Sequence, residues 1–188
     1  MSLEFESSPS LATLYPRVLL ARKPAWVRDG ATVPPISAVL RRLRVDRSHL
    51  RAYRELCGYD ADGQLPLPYP HVLAAALHLA VLASDAFPVR LLGLVHIRNR
   101  IRLHAALPDD VAGSLHVAIA GHVDTDRGQE FTLQTRLLDP HDECLWEEDS
   151  VFLARRRSGA ARSGSGARSE TVSAGVRTTS FRAPSGLG

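Results

Sequence analysis

From Gly63 to Ser84 the chain carries no formal charge, and the heart of that stretch, YPHVLAAALHLAVLA, is apolar on every face of a helix. Leu73, Leu77 and Val81 recur at four-residue spacing, while Val72, Leu79 and Leu82 cover much of the opposite side. A helix that is apolar all round has to be enclosed, by lipid or by protein. Length and punctuation decide between them. Pro66, Pro68 and Pro70 disfavour helix through the first part, with Pro70 suited to a first helical turn. Only about four turns remain from Tyr69 to Ala83, against the ~20 residues a bilayer requires. The segment reads as a core helix. The strand after it alternates, with Val95, Ile97, Asn99, Ile101 and Leu103 on one face and His96, Arg98, Arg100, Arg102 and His104 on the other. One face suits a core and the other suits water or an anionic partner.

The 188 residues, 45% of them hydrophobic, suffice for one compact domain of ~100 to 150 residues with additional segments. The N-terminus MSLEFESSPS lacks a basic start followed by an apolar run, so no secretory signal is read and a cytoplasmic location is expected. Cys57 and Cys144 are too few for a disulfide framework and lie in no metal-ligand spacing, so both read as ordinary thiols. The net charge of +3 hides an asymmetry: seven arginines and one glutamate in residues 155–188 contribute +6, so the first 154 residues carry −3. The basic balance belongs to the tail and says little about the folded part.

Along the chain, residues 1–10 look disordered and residues 14–21 suit a short strand or extended arm. Residues 38–45 suit a first strand. Asp46 or Ser48 can cap a helix through HLRAYRELCG that closes at Gly58, with Leu50, Tyr53, Arg54 and Cys57 on one side. Beyond the central helix and its strand, residues 114–125, 130–138 and 144–154 have strand character, separated by turn residues at 126–128 and 139–142. In the first of these, His116 and His122 fall on the outward face. In the last, the alternation slips between Glu147 and Val151, which suggests a bulge. From Ser158 the composition collapses to Ser, Gly, Ala and Arg, as in a flexible tail. Phosphate-binding glycine loops and serine-hydrolase elbows are not present in the sequence.

The order strand, short helix, long buried helix and four antiparallel strands is that of an α+β hot-dog domain, a curved sheet wrapped around one helix. The segments YRELCGY (53–59), LPLPYPHVLAAALHLAVL (65–82) and FPVRLLGLVHIRNRI (87–101) resemble the N-terminal half of double-hot-dog acyl dehydratases of the MaoC-like, (R)-specific enoyl-CoA hydratase group. The resemblance spans roughly residues 35–157. It implies an arm at 1–34, the hot dog at 35–157 and a tail at 158–188, whose final FRAPSGLG resembles the lead-in to a second hot-dog domain. Family members hydrate trans-2-enoyl thioesters with an Asp and a His in a D-x-N-P-x-H pattern. Here the corresponding stretch reads YDADGQLPLPYPH. Asp60 and Asp62 are present, but His71 comes eleven and nine residues later and the Asn is missing, so no catalytic residue is carried over.

What the resemblance implies is an acyl-thioester-binding half without its own Asp/His motif. It would pair with a second hot dog, as a homodimer or with a catalytic partner chain, and needs no cofactor. Its candidate substrate-binding residues are Tyr69, His71, Leu73, Leu77, Asn99 and Arg98. Two other readings stay open: an active hot-dog thioesterase or hydratase using Asp60 or Asp62 with His71, and non-specific nucleic-acid binding through the arginine tail, which ranks last for want of stacking aromatics. His71 reads first as a helix-start residue bonded to backbone, and His78 as a satisfied core or interface histidine. Asn99 stands alone on an inward face, where an unsatisfied amide costs ~1 to 3 kcal/mol, so a backbone group, a water or a thioester carbonyl must bond it. Arg98, Arg100 and Arg102 form a cationic row that suits solvent or a subunit contact before coenzyme A phosphates. No metal ligand set is assigned.

Overall fold

The computed structural model describes residues 1–28 and 30–155. The tail expected at residues 158–188, with its arginines and the FRAPSGLG segment, lies outside them. Nine elements follow in order: β1 (Ser2–Phe5), α1 (Leu11–Leu20), β2 (Ser37–Leu40), α2 (Arg47–Cys57), α3 (Tyr69–Ala83), β3 (Leu94–Leu103), β4 (Ser114–Thr125), β5 (Gly128–Leu138) and β6 (Cys144–Arg155). The strands form one sheet in the order β1-β2-β4-β5-β6-β3. β1 runs parallel to β2, and every other pairing is antiparallel.

No residue of α3 is exposed. The helix lies chiefly against β2, β4 and β5 on one side and against α1 on another. Leu77, Val81 and Ala74 pack with Leu115, Val117, Leu133 and Phe131 of the sheet in one core, which Phe87 and Trp146 complete. Trp146 also donates its indole N–H to the Leu67 carbonyl at 2.9 Å, fastening the proline-rich loop ahead of the helix. Among the described residues, no helix is long and apolar enough to cross a membrane.

α2 starts where Asp46 accepts hydrogen bonds from the backbone N–H groups of Ser48 and His49, and it closes at Gly58 in the left-handed conformation. Of its expected apolar side, Leu50 and Arg54 are buried, whereas Cys57 is exposed. Arg54 makes a two-pronged bond to Asp109 at 2.7 and 2.9 Å and reaches the Gln64 carbonyl, which ties α2 to two crossing loops.

Three expectations are corrected. Residues 2–5 are a strand, ordered by pairing with β2 and by the Glu4–Arg41 ion pair. Residues 11–20 form a helix rather than an arm, because burying Leu14 and Val18 against the outer side of α3 demands helical spacing. The first strand is also shorter than expected, stopping at Leu40.

β5 begins immediately after a two-residue turn, with Gly128 at φ 150° and an added Cβ there lying 2.0 Å from the Ala154 carbonyl oxygen. Gly128→Ala must therefore push β5 and β6 apart. We expect it to lower unfolding stability by roughly 1 to 3 kcal/mol in urea titration. An unchanged midpoint would contradict this close approach.

Candidate functional site

The face of a strand that meets the core is normally apolar, yet the core face of β6 reads Trp146, Glu148, Ser150. Their partners across the ladder are Leu137, Thr135 and Leu133 of β5. All six side chains are buried. The slip expected between Glu147 and Val151 is thus no bulge: the alternation continues, and two inward positions are polar. On β6 the register against β5 shifts only at Leu145, and on β3 it shifts between His96 and Arg98. That bulge at Ile97 carries His96 onto the inner face, opposite Phe152, whereas strict alternation had put it on the wet face.

The inner-face polar groups converge on His71 and His78, in the first and third turns of α3. His71 Nδ1 lies 2.7 Å from Glu148 Oε1, and the Ser150 hydroxyl donates to the same oxygen. His78 Nε2 is 2.7 Å from the Thr135 hydroxyl. His71 meets the edge of His78 at 5.1 Å between centroids and stacks on His96 at 5.7 Å, and His96 stacks in turn on Phe152. The first reading of His71 is corrected here. Its partner is a buried carboxylate 77 residues away, not backbone, and not Asp60 or Asp62.

Burial works to raise the Glu148 carboxyl, but the hydrogen bonds from His71 and Ser150 and the nearby histidine charge outweigh it and hold the group below its ordinary value. Glu148 is therefore ionised and accepts only, so His71 Nδ1 carries the proton of that bond. Its second oxygen, Oε2, is buried with no donor among the described residues. A buried acceptor left unmet is costly, and sites that act on ligands are where such groups persist.

The other candidate residues are scattered. Tyr69 is buried and turns to α2, its hydroxyl 2.8 Å from His49 Nδ1 and its ring against Tyr53. Leu77 is core and Leu73 is half-buried against that core. Asn99 sits on the expected face, opposite Ser150, but it is exposed, so the burial that demanded a partner is absent. β3 is the outermost strand of the sheet and extends past the cover of α3. Arg98 pairs with Glu130 at 2.9 Å and Arg102 with Glu147 at 2.7 Å, so two of the three arginines in the cationic row spend their charge on the neighbouring carboxylates. His116 bonds the Ser114 hydroxyl, and the shift between Ile119 and Gly121 places His122 on the face of Phe131, where it stacks rather than pointing outward.

Two trios among the described residues bring donor atoms within 4.8 Å of one another, His71 with His78 and Glu148, and His104 with Cys144 and Glu147. Both are of donor types that zinc accepts. A groove of about 710 Å³ lies elsewhere, lined by Arg41, Arg44, Arg47, His116 and Asp139 among others, and it does not include the histidine cluster.

No family model matches the sequence, and no curated protein matches it. Solved structures do match. HtdX of Mycobacterium tuberculosis superposes with a TM-score of 0.59 at 22% identity, over 66% of this chain and 53% of that one. The fold is a hot dog. The C-terminally truncated HadBC (3R-hydroxyacyl-ACP dehydratase) complex from the same organism matches with a TM-score of 0.52 at 13% identity, over 62% of this chain and 95% of that one. A MaoC-like dehydratase from Phytophthora capsici gives 0.51 at 14% identity, over 68% and 49%. This hot dog spans about half the length of the HtdX structures it matches.

Burial pushes His78 in the central helix of the hot dog down to about 4. Histidines of the unfolded chain titrate near 6.5. Stability from this group is therefore present above about pH 6.5 and is lost as the pH falls towards about 4, where the unfolded chain takes up a proton that the folded one refuses. The gap corresponds to on the order of 3 kcal/mol. We expect denaturant titrations to show this loss between neutral and mildly acid pH, and His78→Gln to remove most of it. An identical acid loss in the variant would contradict the assignment.

Proposed function

We propose that this hot dog is an acyl-thioester domain of the dehydratase and enoyl-thioester hydratase kind, and that it works paired with a second hot dog along β3. One observation carries the reading: the polar inner face of His71, His96, Asn99, Glu148 and Ser150 runs out to an open sheet edge instead of ending under the helix. A shelf that is polar where it meets the helix and open at its edge is half of a binding site. Its other wall has to come from elsewhere.

The edge itself supports pairing. Among the described residues, the ten-residue β3 has no strand on its outer side, and Leu103 and Val95 are 53% and 40% exposed along it. Open, partly apolar edges of this length invite a second strand. HadBC, a 3R-hydroxyacyl-ACP dehydratase, and the Phytophthora MaoC-like dehydratase agree in class with the resemblance carried by residues 53–59, 65–82 and 87–101. An acyl chain on the shelf would run past half-buried Leu73, with its thioester near Asn99.

Two measurements test this. Calorimetric titration with saturated acyl-CoA, which binds without reacting, should give saturable binding that depends on chain length. Absence of binding for short, medium and long chains alike would sink the substrate class. Sedimentation should find a dimer that Val95→Glu with Leu103→Glu converts to monomer, since two charges buried in a sheet edge are unfavourable. A dimer untouched by both changes would place the pairing surface elsewhere.

A further inference from the structure

The family motif is missing from this hot dog, yet the site contains an imidazole and a carboxylate in contact. Resting on the acyl-thioester reading above, we propose that His71 and Glu148 form a relocated acid–base dyad that adds water to a 2-enoyl thioester. Its residues come from the first turn of α3 and the middle of β6, not from one local loop.

Five observations converge. Glu148 is buried and ionised, and it holds His71 by Nδ1, so the tautomer is fixed with Nε2 as the basic nitrogen. No other hydrogen bond to the His71 ring exists among the described residues, and its side chain is 29% exposed, so Nε2 is available to water. His78 is neutral, so the neighbouring ring adds no positive charge when His71 takes up a proton. Ser150 donates to Glu148 Oε1 and thereby spends its own proton, which makes it a support for the carboxylate rather than a nucleophile. The remaining oxygen, Oε2, is buried and unmet, so a proton-bearing ligand group beside it gains a hydrogen bond that the protein does not supply.

The step balances without any other reagent. A water oxygen bonds to C3 of the enoyl thioester as one water proton passes to His71 Nε2. The π electrons of the C2–C3 bond move onto the thioester oxygen as an enolate, whose charge the Asn99 amide can meet from its place opposite Ser150. The imidazolium then returns the proton to C2, the enolate collapses, and a 3-hydroxyacyl thioester leaves the dyad as it began. Glu148 acts through His71 and is a positioning residue. The Asn99 side-chain amide has no hydrogen-bond partner among the described residues, so this donation breaks nothing.

The test uses the full chain with trans-2-enoyl-CoA substrates, following loss of the conjugated thioester. Wild type should turn over, and His71→Ala should lose about 100-fold or more in kcat. Glu148→Gln keeps the size of the side chain and the fold, as circular dichroism would verify. It should lower kcat with little change in KM and move the acid limb of the pH profile. Ser150→Ala should show a smaller loss of the same kind. Turnover that survives in His71→Ala overturns the dyad. So does saturable acyl-CoA binding with no turnover by wild type, which leaves the acyl-thioester reading standing. If neither binding nor turnover occurs, both fall.

Discussion

Everything in this molecule is organised around enclosing a helix with no side that water can cover. α3 carries no charge, so each of its faces has to meet apolar surface, and each neighbour supplies one. The sheet takes one side through Leu115, Val117, Leu133 and Phe131. α1 takes another through Leu14 and Val18. The loop ahead is fastened by Trp146, and at the far end Lys23 donates to the carbonyls of Ala83 and Ser84, where the last turn leaves acceptors unmatched. Burial on this scale dominates the stability of a domain this size. It also leaves β3 outside the cover of α3, and the polar groups gather between that edge and the helix.

Those polar groups are held by the same burial that makes them costly. A carboxylate in the position of Glu148 is tolerable only because an imidazole and a hydroxyl both bond it. His78 solves the same problem differently, by staying neutral against Thr135. The two histidines lie seven residues apart on one helix face and in edge contact, one bonded to a carboxylate and the other to a hydroxyl. By contrast, the arginines on the far face of β3 sit in ladders of opposite charge with Glu130 and Glu147 and read as surface chemistry.

The central helix was legible to the residue, Tyr69 to Ala83, because its apolar run and its prolines leave no other choice. The caps of α2 at Asp46 and Gly58 were legible for the same kind of reason: each is a local hydrogen-bonding or backbone requirement with few solutions. β4 was legible from alternation, up to the register shift that turned His122. What local pattern could not supply was anything fixed by register. The single extra residue at Ile97 exchanges the faces of Val95 and His96 ahead of it, and no propensity marks that residue as unpaired. The Glu148 signal was present but misread, since polar residues at inward positions look like broken alternation when only apolar residues are counted. The His71–Glu148 contact itself joins residues 77 apart and exists only once α3 is laid across the sheet. β1 was missed because four residues gain strand structure only from a partner already in place.

The two edges of the sheet are unlike, and this sets what kind of assembly the chain can build. At one margin β1 is four residues long, with Glu4 neutralised by Arg41 and with Glu6 beside Arg42, a short charged border that offers little to an incoming strand. The opposite margin is long and uncovered. A sheet with two adhesive borders can add copies without end, whereas one with a single adhesive border closes after one addition. The short charged β1 thus makes the two borders unequal, leaving β3 as the edge that a further strand would find easier to join.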